Sequence, residues 1–139
     1  MIDPDVQRRL KQAREYIDDC FDSALRLEQI AQQACLSEFH FQRLFRQTFE
    51  RTPHQYMTGR RLERARELLL YTDLSISEIC MLIGFQSLGS FSTLFSRQTG
   101  MSPSAYRNQF GSRKHFSVLY PDFQPRIPAC FLMMYGTGL

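Results

Sequence analysis

The chain repeats itself. Ile30-Ala31 leads through Cys35-Leu36-Ser37 to Phe41, Leu44 and Phe45. Ile79-Cys80 leads through Gly84-Phe85-Gln86 to Phe91, Leu94 and Phe95. The front halves are offset by 49 residues and the back halves by 50, so the second turn carries one extra residue. Each copy reads as a short helix, a tight turn and a longer helix with one apolar face, the helix-turn-helix plan. A small residue belongs in such a turn, where two helices approach. Gly84 meets that need and Cys35 meets it less well. One helix-turn-helix alone is a weak signal, since any helical hairpin imitates it. Two copies joined by a single helix are far more specific.

Punctuation by Pro, Gly and Ser divides the chain into helices. Asp3-Pro4 supplies an N-cap and a proline at the first helical position, and Val6, Leu10, Ala13, Tyr16 and Ile17 then recur at helical spacing to about Cys20. A second helix covers Leu27 to about Cys35, with Ile30, Ala31 and Ala34 inward. A third begins at Ser37-Glu38, with Phe41, Leu44, Phe45 and Phe49 on one face and His40, Gln42, Arg43, Arg46 and Gln47 off it. Thr52-Pro53 opens a fourth, running to about Tyr71. Its length is about 27 Å at 1.5 Å per residue, comparable to one DNA turn of ~34 Å. Ser75 with Glu78 forms a capping-box pattern for a fifth that Gly84 ends. The sixth runs from about Leu88 to Thr99 and stops at Gly100; the seventh follows Ser102-Pro103 to about Phe110. The expected fold is therefore all-α: a seven-helix domain of two helix-turn-helix subdomains joined by a long helix. It spans residues 1–110, with an apolar C-terminal extension at 111–139. The extension's runs around Phe116–Tyr120 and Ile127–Tyr135, broken by prolines, read as extended or hairpin-like.

Apolar residues make up 43% of the 139 positions and charged residues 22%, which excludes disorder as the default state. No run of ~18 apolar residues exists to cross a membrane. The N-terminus lacks a basic region followed by an apolar stretch, so no signal peptide is expected and the cytoplasm is the default location. Four cysteines contain no Cys-x-x-Cys pair, and the three histidines are not spaced to complete a zinc site. Cys35 and Cys80 fall inside apolar patterns and read as small buried hydrophobes. No nucleophile elbow, P-loop or dinucleotide fingerprint occurs, so neither an enzyme nor a cofactor is expected. Net charge is +3, unevenly spread: residues 38–66 carry 7 Arg and 3 acids, whereas residues 67–96 carry 3 acids and no base. Fifteen of the 17 bases are Arg, the side chain that forks to phosphate or guanine.

The segment from Leu27 to Phe110 resembles the DNA-binding domain of the AraC/XylS family of transcription regulators. The stretches that carry the resemblance are Arg60-Arg61-Leu62-Glu63-Arg64-Ala65-Arg66-Glu67-Leu68-Leu69, Leu74-Ser75-Ile76-Ser77-Glu78-Ile79, Ile83-Gly84-Phe85, Phe91-Ser92-Thr93-Leu94-Phe95 and Gly100-Met101-Ser102-Pro103-Ser104-Ala105-Tyr106-Arg107. The resemblance implies seven helices, two helix-turn-helix units bridged by a long helix, and sequence-specific binding of double-stranded DNA. It also implies activation of transcription through RNA polymerase. The family's N-terminal effector-binding or dimerisation domain is not represented, as in its small single-domain members or in an excised domain. Cys35 and Glu50 replace common family glycines, and Cys80 stands where alanine is usual. Thr93 stands where arginine is common, and Gly89 where a polar residue is, which weakens base reading by the second recognition helix.

By the same resemblance Phe39, Gln42 and Arg43 match base-contacting positions. Arg43 can fork to guanine O6/N7, Gln42 can pair with adenine N6/N7, and Phe39 can press on a thymine methyl. In the second recognition helix the base-contact candidates are Ser90, Ser92 and Thr93, all short. Phosphate candidates are Ser37, His40, Arg46, Ser87 and Arg97, with Arg60 and Arg61 weaker ones. On the linking helix Arg60 with Glu63 and Arg64 with Glu67 are i,i+3 pairs, and intrahelical salt bridging is the preferred reading for Arg64 and Arg66. A rival reading makes the chain a protein-interaction module working through its apolar tail. A poorer one makes it a thiol sensor using Cys35 or Cys80. The tail is expected to pack on its own domain, with a homodimer through the tail as second choice.

Overall fold

The computed structural model describes residues 2–111; the apolar tail, with the form and pairing expected of it, lies outside the described residues. Among the described residues there are seven α-helices and no strand: α1 (Pro4–Cys20), α2 (Leu27–Gln33), α3 (Glu38–Phe49), α4 (Pro53–Tyr71), α5 (Ile76–Leu82), α6 (Leu88–Thr99) and α7 (Pro103–Phe110). They gather into two compact units that divide within α4, after Arg61.

Helix starts follow the caps written in the sequence. The Asp3 carboxylate accepts from the Asp5 N–H at 2.7 Å. Ser87 and Ser102 accept from the N–H three residues on, at 3.1 Å each. Thr52 and Gln55 form a reciprocal pair, Gln55 N–H to Thr52 Oγ1 at 3.1 Å and Thr52 N–H to Gln55 Oε1 at 3.0 Å. Ser75 and Glu78 close a full capping box at 3.1 and 2.7 Å.

In the first unit α1, α2, α3 and the start of α4 enclose Leu10, Ala13, Ile17, Ile30, Ala31, Phe41, Phe45 and Met57. Phe41 and Phe45 are wholly buried with ring centroids 5.4 Å apart, and Phe45 meets Phe49 and Tyr56 edge-on. In the second unit the rest of α4 packs with α5, α6 and α7 around Leu62, Leu69, Ile79, Ile83, Phe91 and Phe95. Phe91 and Phe95 repeat the arrangement at 5.7 Å, and Tyr106 of α7 stands edge-on to Phe95. An aromatic pair one helical turn apart thus anchors each longer helix to its unit's core.

The two turns are the same motif. After α2 the Cys35 N–H bonds to Gln32 O and the Leu36 N–H to Ala31 O. After α5 the Gly84 N–H bonds to Met81 O and the Phe85 N–H to Cys80 O. This 5→2 and 6→1 pattern needs a left-handed residue at the first position past the cap. Cys35 has φ 53° and Gly84 has φ 88°. The turn's demand is therefore for a positive φ more than for small size. It also corrects one expectation: Cys35 is exposed, because it sits at the left-handed position past the helix end, outside the apolar face of α2. Cys80 is buried as expected, and burial pushes its thiol pKa up. The extra residue of the second copy is Gln86, between the turn and the Ser87 cap.

Candidate nucleic-acid interface

α3 presents two opposite faces. With Phe41 and Phe45 wholly buried, the helix turns Phe39, His40, Gln42, Arg43, Arg46 and Gln47 to solvent. Phe39 is 78% exposed, the most exposed large apolar side chain among the described residues. The ring stands off the face of α3 that buries Phe41 and Phe45. Ser37 caps this helix: its Oγ accepts from the His40 N–H at 3.3 Å, which leaves its hydroxyl hydrogen free for a phosphate. Phe39, Gln42 and Arg43 thus share the exposed side of α3, with Ser37 and His40 at its start and Arg46 in its last turn.

α6 has the same framework with different chemistry. Ser90 and Thr93 are exposed, Ser92 is half-buried, and Arg97 in the last turn is exposed. Ser87 caps the helix as Ser37 caps α3. With the back halves of the repeat in register, Thr93 takes the place of Arg43, Ser92 that of Gln42, and Gly89 that of Phe39. The long forked donor and the amide of α3 are thus replaced by short hydroxyls, and the aromatic ring by no side chain at all. Leu88, on the first turn, is 45% exposed and was not among the residues expected to matter. The apolar pattern gave no sign that a leucine at a helix start stays outside the core.

Two arginines expected as weaker phosphate candidates are engaged in the first unit instead. Arg60 Nε lies 3.1 Å from Asp18 Oδ1, and its guanidinium stands over the Phe21 ring. Arg61 donates from Nε to Phe21 O at 2.6 Å and from Nη2 to Ser23 O at 3.0 Å, tying down the loop after α1. Burial lowers the Arg61 pKa, with Asp22 acting in the opposite sense. Arg64 and Glu67 form the expected pair at 2.7 Å. In the second unit Arg107 has a similar structural part, donating to Leu69 O and Thr72 O at the end of α4.

A helix-turn-helix family model matches residues 30–109, which spans both copies of the repeat. The chain belongs to the AraC-type helix-turn-helix family. It is 36% identical over 117 residues to the HTH-type transcriptional regulator ArgR of Pseudomonas aeruginosa, covering 84% of this chain and 35% of that protein. It is 33% identical over 107 residues to the regulatory protein PocR of Salmonella typhimurium, covering 77% and 35%. The chain thus spans about 35% of the length of these curated relatives. Among solved structures, it is similar to the C-terminal domain of AraT, a response regulator from Geobacillus stearothermophilus. The TM-score is 0.71 at 33% identity, over 81% of this chain and 91% of that one. It is also similar to the DNA-binding domain of the global transcriptional factor AdpA in complex with a target DNA. There the TM-score is 0.69 at 27% identity, over 83% and 98%.

Proposed function

We propose that the chain is a sequence-specific double-stranded-DNA-binding transcriptional regulator that reads two successive major-groove segments, one with α3 and the next with α6. The observation that carries this reading is the exposed Phe39, Gln42 and Arg43 row on a helix that is anchored to the core by the wholly buried Phe41 and Phe45. Arg and Gln on the exposed side of such a helix match the forked patterns of guanine and adenine, and an apolar ring matches a thymine methyl. Similarity to a DNA-binding domain seen on its target supports it. In this reading Ser37, His40, Arg46, Ser87 and Arg97 hold the phosphates and fix register, while Phe39, Gln42 and Arg43 carry most of the base preference. Ser90, Ser92 and Thr93 contribute less.

The same reading makes residues 1–110 the DNA-binding domain and assigns its partner as RNA polymerase at the promoter, with action in the cytoplasm. Among the described residues no helix is long and apolar enough to cross a membrane. The rival interaction-module reading and the homodimer both rest on the tail, outside the described residues. The deciding experiment is enrichment of bound duplexes from a random pool, followed by titration at several salt concentrations. A consensus with two elements about one helical turn apart, and affinity that falls steeply with salt, is the expected result. Binding without a consensus would overturn the reading.

A further inference from the structure

We propose that Leu88 is the residue through which the second helix-turn-helix distinguishes sequence, by apolar contact with the 5-methyl group of a thymine. This rests on the reading of α6 as a groove-binding helix. Among the described residues five large apolar side chains are exposed: Phe39, Tyr71, Met81, Leu88 and Phe110. Two of these five stand at the starts of the two helices assigned to the groove, Phe39 second in α3 and Leu88 first in α6. The N-terminal residues of a recognition helix are the ones that reach base edges.

Leu88 lies outside the buried core of its unit. It is 45% exposed, and the partly buried hydrophobics that line its unit's core are Leu74, Ile76, Phe85, Leu94 and Tyr106. Around it α6 offers only short groups: Gly89, Ser90, Ser92 and Thr93. Gly89 is not demanded by the backbone, since its φ is not positive, and a Cβ there would meet nothing nearer than Ser87 Oγ at 3.7 Å. The missing side chain leaves the surface beside Leu88 low, so the helix start can approach the groove floor closely. In the major groove the apolar feature among the base edges is the thymine methyl. A leucine there gains area against that methyl, whereas against the cytosine amino group or guanine O6 it strips water from a polar group without replacing its hydrogen bond.

The test uses the full chain and a duplex it enriches from a random pool. Each thymine of the site is replaced in turn by uracil, which pairs identically and lacks the methyl. One replacement in the element read by α6 is expected to lower wild-type affinity by about three- to tenfold, the scale of one or two buried methyl groups. Leu88→Ala is expected to lose a similar factor on the thymine duplex and nothing further on that uracil duplex, while Leu88→Met keeps most of the discrimination. Circular dichroism and unfolding midpoints establish that the variants are folded; if the alanine variant is not, the uracil scan of the wild type and of Leu88→Met decides. A site indifferent to uracil overturns the proposal, as does an equal Leu88→Ala loss on thymine and uracil duplexes. If every methyl effect in the site is cancelled by Phe39→Ala and none by Leu88→Ala, the proposal is also overturned, because those contacts belong to α3. Failure to enrich any consensus would instead count against DNA reading as a whole, so the two failures are told apart.

Discussion

Glu50 and Gly100 hold the same position at the ends of α3 and α6, and both are left-handed, at φ 61° and 81°. Each donates its backbone N–H to the carbonyl four residues back, Arg46 O and Ser96 O, at 2.8 Å. Glycine adopts this conformation freely, whereas a residue with a Cβ is strained by about 1–2 kcal/mol. A carboxylate at a helix C-terminus also opposes the helix dipole. Glu50→Gly is therefore expected to stabilise the protein by about 1 kcal/mol in denaturant unfolding, after the entropy that glycine adds to the unfolded chain. Gly100→Ala should cost about 1 kcal/mol for conformational reasons alone, since nothing lies within 4 Å of the added Cβ. A less stable Glu50→Gly chain would show that the glutamate side chain makes a contact worth more than the strain.

The described helices were legible in the sequence because each announces itself chemically. Asp3, Ser37, Ser75 and Ser102 all cap helices where their positions suggested. The phenylalanine pairs of the repeat are the wholly buried anchors that their spacing suggested. Other features depend on geometry that a linear pattern does not carry. Cys35 looks apolar and inward in the string, but a left-handed turn decides where it points. Arg60 has a visible acidic neighbour three residues on, Glu63, yet Asp18, Phe21 and Ser23, which Arg60 and Arg61 engage, lie 38 to 42 positions back in the chain. Of the proposed interface, the α3 row could be read from the helix period. The exposure of Leu88 could not, because an apolar residue at a helix start packs back or projects according to the turn before it.

Tyr56 gives the first unit a pH signature. Its hydroxyl donates to Asp18 Oδ1 at 2.7 Å. Burial, then the bond to Asp18 and that carboxylate's charge, push its pKa up from 10 to about 12, against the opposing pull of Arg14 and Arg60. A raised pKa means that the protonated phenol is favoured in the folded state. Its contribution is complete below about pH 10 and is lost as pH rises from 10 to about 12. Stability measured across that window should fall more steeply for the wild type than for Tyr56→Phe, which has no proton to lose. Near neutral pH the variant should be less stable by about 1 kcal/mol through the lost bond. Parallel alkaline curves for the two proteins would refute the assignment.

Arg61 and Arg46 should separate structure from DNA contact. Arg61→Ala removes two bonds to the Phe21 and Ser23 carbonyls and is expected to cost about 2 kcal/mol of stability. It should leave the dependence of DNA affinity on salt unchanged. Arg46→Ala, on the exposed face of α3, should alter stability by no more than a few tenths of a kcal/mol while lowering the salt slope by about one. Thermal unfolding and titrations at several salt concentrations check both. A reduced slope for Arg61→Ala would return that arginine to the phosphate-binding set.

Arg43 and Thr93 occupy equivalent positions in the two repeats, and both are exposed. A guanidinium placed there can make two parallel bonds to one guanine, while a threonine hydroxyl can make one. Arg43→Ala is therefore expected to cost about 1–3 kcal/mol on the selected site and to relax preference at one base pair. Thr93→Ala should cost clearly less. The informative variant is Thr93→Arg, which restores to α6 the group that α3 already carries. Thr93 faces solvent, so the longer side chain meets no core residue and the fold should accept it. If α6 enters the groove as α3 does, random-pool selection with this variant should yield a guanine at one new position in the second element and leave the first element unchanged. A new preference appearing within the first element, or a guanine gained nowhere, would mean that the two helices do not read DNA in equivalent poses.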